Sequence, residues 1–193
     1  MKYQVIALRD LLHEGIEGSD YQSKIADSFS CPLNLDIEYF VRDKAIEFEK
    51  MDISRTYFIY TSFRGRPQLV GYFAIALKPV HICKGVSRRI RKCITGNTGR
   101  EEASVFLLGQ LGKNYKDEID QQELISGEQL IYLAFEKILE AYQIIGGRAV
   151  LAECRNEEHL KNFYENMGFE QVDADGTDGL VRYYINIENI SLD

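Results

Sequence analysis

Residues 147–169, GRAVLAECRNEEHLKNFYENMGF, restrict what this chain can fold into more than any other stretch. The Gly146-Gly147 pair breaks whatever precedes it. Ala149-Val150-Leu151-Ala152 is then an apolar run too short for a helix and bounded as a buried strand is. Asn156, a favourable N-cap residue type, opens a new period in which Leu160, Phe163, Tyr164 and Met167 fall on one helical face. Gly168 stops that helix and Phe169 starts the next strand. The segment reads as strand, helix, glycine stop, strand.

The residues before this segment supply the rest of an α+β pattern. Tyr3–Leu8 reads as a strand, and residues 10–30 as a loop with short helical pieces. Asn34 or Asp36 caps a helix over Ile37–Lys50, in which Ile37, Phe40, Val41, Ala45 and Phe48 form the apolar face. Thr56–Phe63 and Gln68–Leu77 are strands joined by a turn at Arg64-Gly65-Arg66-Pro67, which makes an antiparallel hairpin. Ala103–Tyr115 is a further extended run. Its Val105–Leu108 core is apolar enough for a central strand, and its glycines at 109 and 112 mark a bulge or a close backbone approach.

Leu130, Ile131, Ala134, Phe135, Ile138 and Leu139 share the face of a second long helix, which Ser126-x-x-Gln129 opens as a capping box. After Gln171–Asp173, a turn over Ala174–Gly179 and the alternating run Leu180–Ile187 complete a terminal hairpin.

The lettering Asn156…Phe163-Tyr164-Glu165-x-x-Gly168-Phe169 resembles the closing motif of the GNAT N-acetyltransferases. Arg55-Thr56-Tyr57 with Leu69-Val70-Gly71-Tyr72-Phe73 resembles the second and third strands of toxin-type bacterial members. The resemblance covers most of residues 35–187. It implies a single domain over 1–193, with a mixed, mostly antiparallel sheet split between its fourth and fifth strands and flanked by helices.

The same resemblance implies an acetyl-CoA-dependent N-acetyltransferase that moves acetyl directly to an amine. Tyr164 would be the general acid that protonates the leaving thiolate. The pantetheine arm would lie along Leu111, Gly112 and Lys113 of the fourth strand, as an added strand does. Gln122, Ser126, Gly127 and Asn156 would complete the cofactor site.

The family's diphosphate loop, [Q/R]-x-x-G-x-[G/A], is matched at Gln122 and Gly127, with Ile125 in place of the middle glycine. The helix N-terminus that follows still offers the N–H groups and the dipole end that a diphosphate needs. Asp117, Glu118, Asp120, Glu123 and Glu128 crowd this loop with acids. Apart from the resemblance, Tyr164 reads as one rung of an apolar stripe, and a GNAT fold used as a binding or regulatory module without catalysis is the alternative from another class. Glu153 and His159 flank the motif, but neither matches a family position for a general base.

Composition narrows the partners. A chain of 193 residues with 45% hydrophobic content can bury one sizeable core. A net charge of −7 argues against binding nucleic acid by general electrostatics. One basic island departs from that balance: residues 84–100 carry Lys84, Arg88, Arg89, Arg91, Lys92 and Arg100 with no acid. Val86, Ile90, Cys93 and Ile94 make it an amphipathic helix whose cations form the outer face, either as a solvated surface or as a flap that attracts an anionic acceptor.

The expected acceptor is an amine-bearing small molecule or protein. Aminoacyl-tRNA, the acceptor of toxin-type relatives, is the lesser alternative, and the resemblance leaves room for a homodimer. Four cysteines without a C-x-x-C pair and three scattered histidines point to neither a disulfide framework nor a metal site. Met1–Leu12 is broken by Lys2, Arg9 and Asp10, and no run approaches membrane-spanning length, so a cytoplasmic enzyme without membrane association is expected.

Overall fold

The computed structural model describes residues 2–82, 85–116, 124–172 and 179–192. Seven strands form one sheet in the order β1-β2-β3-β4-β5-β7-β6. They are β1 (Tyr3–Ala7), β2 (Arg55–Phe63), β3 (Arg66–His81), β4 (Glu102–Lys113), β5 (Ala149–Arg155), β6 (Glu170–Val172) and β7 (Leu180–Asn186). The chain divides into two compact units, Met1–Ile75 with Gln110–Ala134, and Ala76–Gly109 with Phe135–Asp193.

In the first unit β1 and β2 pair antiparallel from Tyr3↔Thr61 to Ala7↔Tyr57. β2 then folds back on β3 with Phe63 opposite Arg66. The hairpin turn is therefore two residues, Arg64 (φ 50°) and Gly65 (φ 75°), both left-handed. That pair matches the twist of the flanking strands. The turn is tighter than the four-residue one that composition suggested, and Arg66 and Pro67 already belong to β3.

The helices of this unit are α1 (Leu8–His13), α2 (Ser19–Lys24), α3 (Leu35–Tyr39) and α4 (Ala45–Lys50). The Asn34 side chain caps α3 by accepting from the Asp36 N–H at 3.1 Å, as its residue type favours. The single helix expected over 37–50 is instead interrupted by a π-helical turn at Phe40–Lys44. The Tyr72 hydroxyl donates to the Ile37 carbonyl before this turn and the Tyr21 hydroxyl to the Val41 carbonyl within it, each at 2.7 Å. Side chains entering the backbone ladder in this way locally rewind a helix. Tyr72 is also the centre of the core, edge-on to Phe29 at 5.1 Å and stacked with Phe40 at 6.2 Å.

In the second unit β5 pairs antiparallel with β7 from Ala149↔Asn186 to Arg155↔Leu180, and β6 lies on the outer side of β7. The helices here are α5 (Arg88–Thr95) and α7 (Glu158–Asn166). Between them α6 (Gly127–Ile145) starts in the first unit and ends in this one. Ile82, Ile94, Val105, Ala149, Leu151 and Tyr184 fill one face of the sheet.

Gly147 shows why the glycine break is needed. Its φ is 139°, and a Cβ there would lie 2.6 Å from the Phe106 ring. β3 runs four residues past the expected end at Leu77. Of the expected turn over Ala174–Gly179, all but Gly179 lies outside the described residues. Among the described residues no helix is long and apolar enough to cross a membrane.

Candidate active site

The parallel ladder between β4 and β5 has only three rungs, Phe106↔Val150, Leu107↔Leu151 and Leu108↔Ala152. β4 nevertheless continues to Lys113 and β5 to Arg155, beyond the last rung at Leu108 and Ala152. The resemblance implied a split at this place, between the fourth and fifth strands, and the early end of the ladder agrees with it. A strand with unpaired backbone groups can take an extended ligand as an added strand.

In the first unit, Leu111, Gly112 and Lys113 are the last residues of β4. Gly112 is a glycine for lack of room: a Cβ there would run into Ile37 Cγ2. One residue on, Asn114 is fully buried and anchors the end of the strand. Its amide donates to the Ser28 and Leu69 carbonyls, at 2.7 and 2.9 Å, and its Oδ1 accepts from the Ser30 and Lys116 N–H groups. Every polar atom of the side chain is used, so the backbone of β4 is held still up to Lys113.

Ser126 and Gly127 stand at the start of α6 as expected. The Ser126 hydroxyl accepts from the Gln129 N–H at 3.0 Å, and the Gln129 side chain accepts from the Ser126 N–H at 2.9 Å. This is the reciprocal capping box read from the sequence. Tyr3 braces the same turn by donating to the Leu124 carbonyl at 2.8 Å. Ile125, in place of the family's glycine, is fully buried and serves the core. Gln122 and the acids at 117–123 lie outside the described residues.

In the second unit, Tyr164 sits on α7 with 7% of its surface exposed. Its ring is edge-on to Phe163 and Phe169, at 5.2 and 5.4 Å. Burial, aided by the neighbouring Cys154, pushes its pKa far above the ordinary tyrosine value. An unperturbed value near 10 was expected, so the phenol is held protonated more firmly than the sequence implied.

Asn156 is not the N-cap of this helix. Glu157 occupies that position, with extended backbone (φ −118°, ψ 134°) and no side-chain cap, and Asn156 is exposed one residue earlier. The Glu157 N–H already bonds the Arg155 carbonyl at 2.8 Å, which shifts the helix start by one residue.

The structure also gathers charges that the sequence reading left scattered. The Glu153 carboxylate on β5 accepts from Lys78 Nζ and from Arg182 Nε, each at 2.7 Å. Burial works to raise its pKa, but the two cations outweigh burial and hold it below the usual carboxylate range. A carboxylate so held has little affinity for a proton, which disfavours it as a general base. The available signal was that Lys78, Glu153 and Arg182 each interrupt an apolar strand. His159 is exposed, with Nδ1 3.6 Å from Glu157.

The basic island also departs from expectation. Arg91 is buried and donates to the Ile82 and Arg100 carbonyls, each at 3.2 Å. Arg89 is tied to Glu170 by a two-pronged ion pair, one prong at 2.9 Å. Arg88, Lys92 and Arg100 are left on the outer face, and Lys84 lies outside the described residues. Among the described residues no three His, Cys, Asp or Glu side chains are gathered as metal ligands are.

No protein-family profile matches the chain, and no curated protein matches it in sequence. Solved structures do match in three dimensions. A tyrosine-to-phenylalanine mutant of KacT superposes with a TM-score of 0.67 at 18% identity, covering 97% of this chain and 96% of that one. AtaT complexed with acetyl-methionyl-tRNAfMet gives 0.67 at 16% identity, covering 97% and 96%. AtaTR bound with AcCoA gives 0.63 at 17% identity, covering 96% and 94%. At these identities the likeness speaks for architecture alone: over nearly its whole length the chain has the GNAT-like fold implied by its closing motif, the fold of the KacT and AtaT structures.

Proposed function

We propose that the two units act together as one acetyltransferase domain, which transfers acetyl from acetyl-CoA directly to an amine acceptor. The observation that carries this is the three-rung ladder between β4 and β5, which ends at Leu108↔Ala152 while both strands run on. The backbone of Leu111, Gly112 and Lys113, beyond the last rung and braced by Asn114, would hold the pantetheine arm. The start of α6 at Ser126 and Gly127, with Gln122, would hold the diphosphate end, and Asn156 would complete the cofactor-binding set.

Tyr164, kept protonated by burial, would give its proton to the leaving thiolate. The AcCoA complex of AtaTR and the solved tyrosine-to-phenylalanine mutant of KacT support this reading. Cys31 and Cys154, both buried with thiol pKa values pushed up by that burial, are poor nucleophiles, which favours direct transfer over a covalent intermediate.

A titration with acetyl-CoA followed by thermal unfolding tests the cofactor assignment. Free ligand at 100 times its dissociation constant should stabilise the chain by about 2.7 kcal/mol. No shift at millimolar acetyl-CoA would remove the enzyme reading and leave a non-catalytic binding module of the same fold. On the acceptor, we infer an amine, with aminoacyl-tRNA the form favoured by the AtaT complex and by the exposed cations on and beside α5.

A further inference from the structure

We propose that Lys78, Glu153 and Arg182 form a tie across the sheet that sets the opening between β4 and β5, which makes Lys78 and Glu153 positioning residues for acetyl-CoA. The inference rests on the acetyltransferase reading above. All three residues, and the three rungs of the β4–β5 ladder, belong to the second unit.

Glu153 is the first residue of β5 past the last rung, which is Leu108↔Ala152. On one side the ladder between β5 and β7 runs on to Arg155↔Leu180, and within it Arg182 stands directly opposite Glu153. Its Nε donates to the Glu153 Oε1 at 2.7 Å. On the other side the ladder to β4 has ended, and Glu153 is reached by a side chain instead. Lys78 Nζ donates to Oε2, also at 2.7 Å. β4 lies between β3 and β5 in the sheet, so this bond passes over β4 and joins its two neighbours.

The placement of Lys78 runs against the apolar pattern around it. Along the end of β3 the even positions are more buried than the odd ones, and Val80 of the inward row packs against the apolar cluster of Val105, Ala149 and Leu151. Lys78 belongs to that inward row, while its neighbour Leu77 is 59% exposed. The chain turns a leucine to water and a lysine toward the packed face, the reverse of what burial favours. Glu153 continues the row of Ala149 and Leu151 on β5 by the same period of two. Apolar packing therefore joins this face of the sheet up to Leu151, and the ion pair takes over where the rungs stop.

The two oxygens of one carboxylate are thus engaged from opposite sides, by β7 and by β3. The Glu153 side chain is only 15% exposed, so the ladder cannot peel back from its last rung without breaking a charge-assisted bond largely shielded from water. A cofactor arm laid along β4 gains from an opening already held at one width, because a loose opening must be ordered on binding and that ordering subtracts from affinity.

The test uses the full chain and acetyl-CoA, with calorimetric titration and amide hydrogen exchange of the free protein, at a temperature where every variant is folded. Lys78→Met keeps the stem and removes the charge. It should weaken acetyl-CoA binding by about 5–30-fold, the range for residues that bias a site without touching the ligand. It should also speed exchange in residues 106–109 and 150–153, around the last rung. Glu153→Gln should do the same, and the double variant should bind no more weakly than the weaker single one, since both changes undo one tie. Lys78→Arg keeps a donor and should restore both affinity and protection. A Lys78→Met protein that melts earlier but binds acetyl-CoA as wild type does would overturn the tie and leave the acetyltransferase reading standing. Failure of the wild-type chain itself to bind acetyl-CoA would overturn both.

Discussion

Tyr164 on α7 stacks on Tyr183 of β7, ring centroids 5.6 Å apart and planes 20° from parallel. The stack holds the ring by its faces, so the ring can be kept while the hydroxyl alone is removed. Tyr164→Phe should therefore leave stability within about 1.5 kcal/mol of wild type, the value of at most one hydrogen bond. If the hydroxyl is the proton donor, kcat should fall by about 10²–10⁴ with acetyl-CoA affinity nearly unchanged. A Tyr164→Phe protein that turns over at the wild-type rate would remove Tyr164 from the mechanism. Tyr164→Ala, by contrast, empties the stack and should cost about 3–5 kcal/mol of stability, as aromatic deletions in cores do.

Glu153 gives the fold a pH dependence of known sign. Its folded-state pKa lies below the ordinary carboxylate value because Arg182 and Lys78 outweigh the effect of burial. The stability it contributes is fully present above the unfolded pKa, near 4.3, and is lost as pH falls through the lower folded value. Glu153→Gln should flatten the decline of unfolding free energy between about pH 5 and 3 relative to wild type. At neutral pH it should cost roughly 1–3 kcal/mol, less than breaking a fully buried pair, because Lys78 and Arg182 keep some contact with water. Urea melts of both proteins at pH 7, 5, 4 and 3 give the comparison, and parallel pH profiles would rule the ion trio out as the source.

What could be read from the sequence was what is local. The strand, helix, glycine and strand around Tyr164, the hairpin of β2 and β3, and the Ser126–Gln129 capping box all depend on residues a few positions apart, and all are present. Asn156 was misplaced as the cap because its residue type favours that position, whereas the Glu157 N–H bonds the Arg155 carbonyl and the helix starts one residue later, without a side-chain cap. Arg91 matched the exposed basic pattern of α5, but its role is set by carbonyls at Ile82 and Arg100, nine residues away on either side. Glu153 and Lys78 are 75 residues apart in the chain, so no helical or strand period links them. The hub at Asn114 is of the same kind, since one of its partners is 86 residues distant.

Gly112 and Ile37 make a steric pair that a double-mutant cycle can isolate. A Cβ at residue 112 would overlap Ile37 Cγ2, so Gly112→Ala should destabilise the chain by about 1–3 kcal/mol through overpacking. Ile37→Ala alone removes buried methyl groups and should also cost stability, about 2–5 kcal/mol. Together the two should cost less than their sum by about 0.5–3 kcal/mol, because the shortened residue 37 vacates the space that the new methyl needs. Additive losses in chemical denaturation would mean that the glycine is there for some reason other than this contact.

The face of α5 separates structural from functional cations. Arg91→Ala would strip donors from two carbonyls around a buried site and should lower the melting temperature, whatever ligand is present. Arg88, Lys92 and Arg100 are exposed, so replacing all three by Ala should leave the fold intact. If they meet the phosphates of an aminoacyl-tRNA acceptor, affinity for it should fall. The slope of log affinity against log salt should become shallower by about 2–3, since each lost phosphate contact removes roughly 0.7–0.9. The apparent KM for an aminoacyl amide, which carries no phosphate, should not move. Titrations of wild type and the triple variant with tRNA at several salt concentrations decide the matter, and identical slopes would place the acceptor RNA, or the acceptor's charge, elsewhere than on α5.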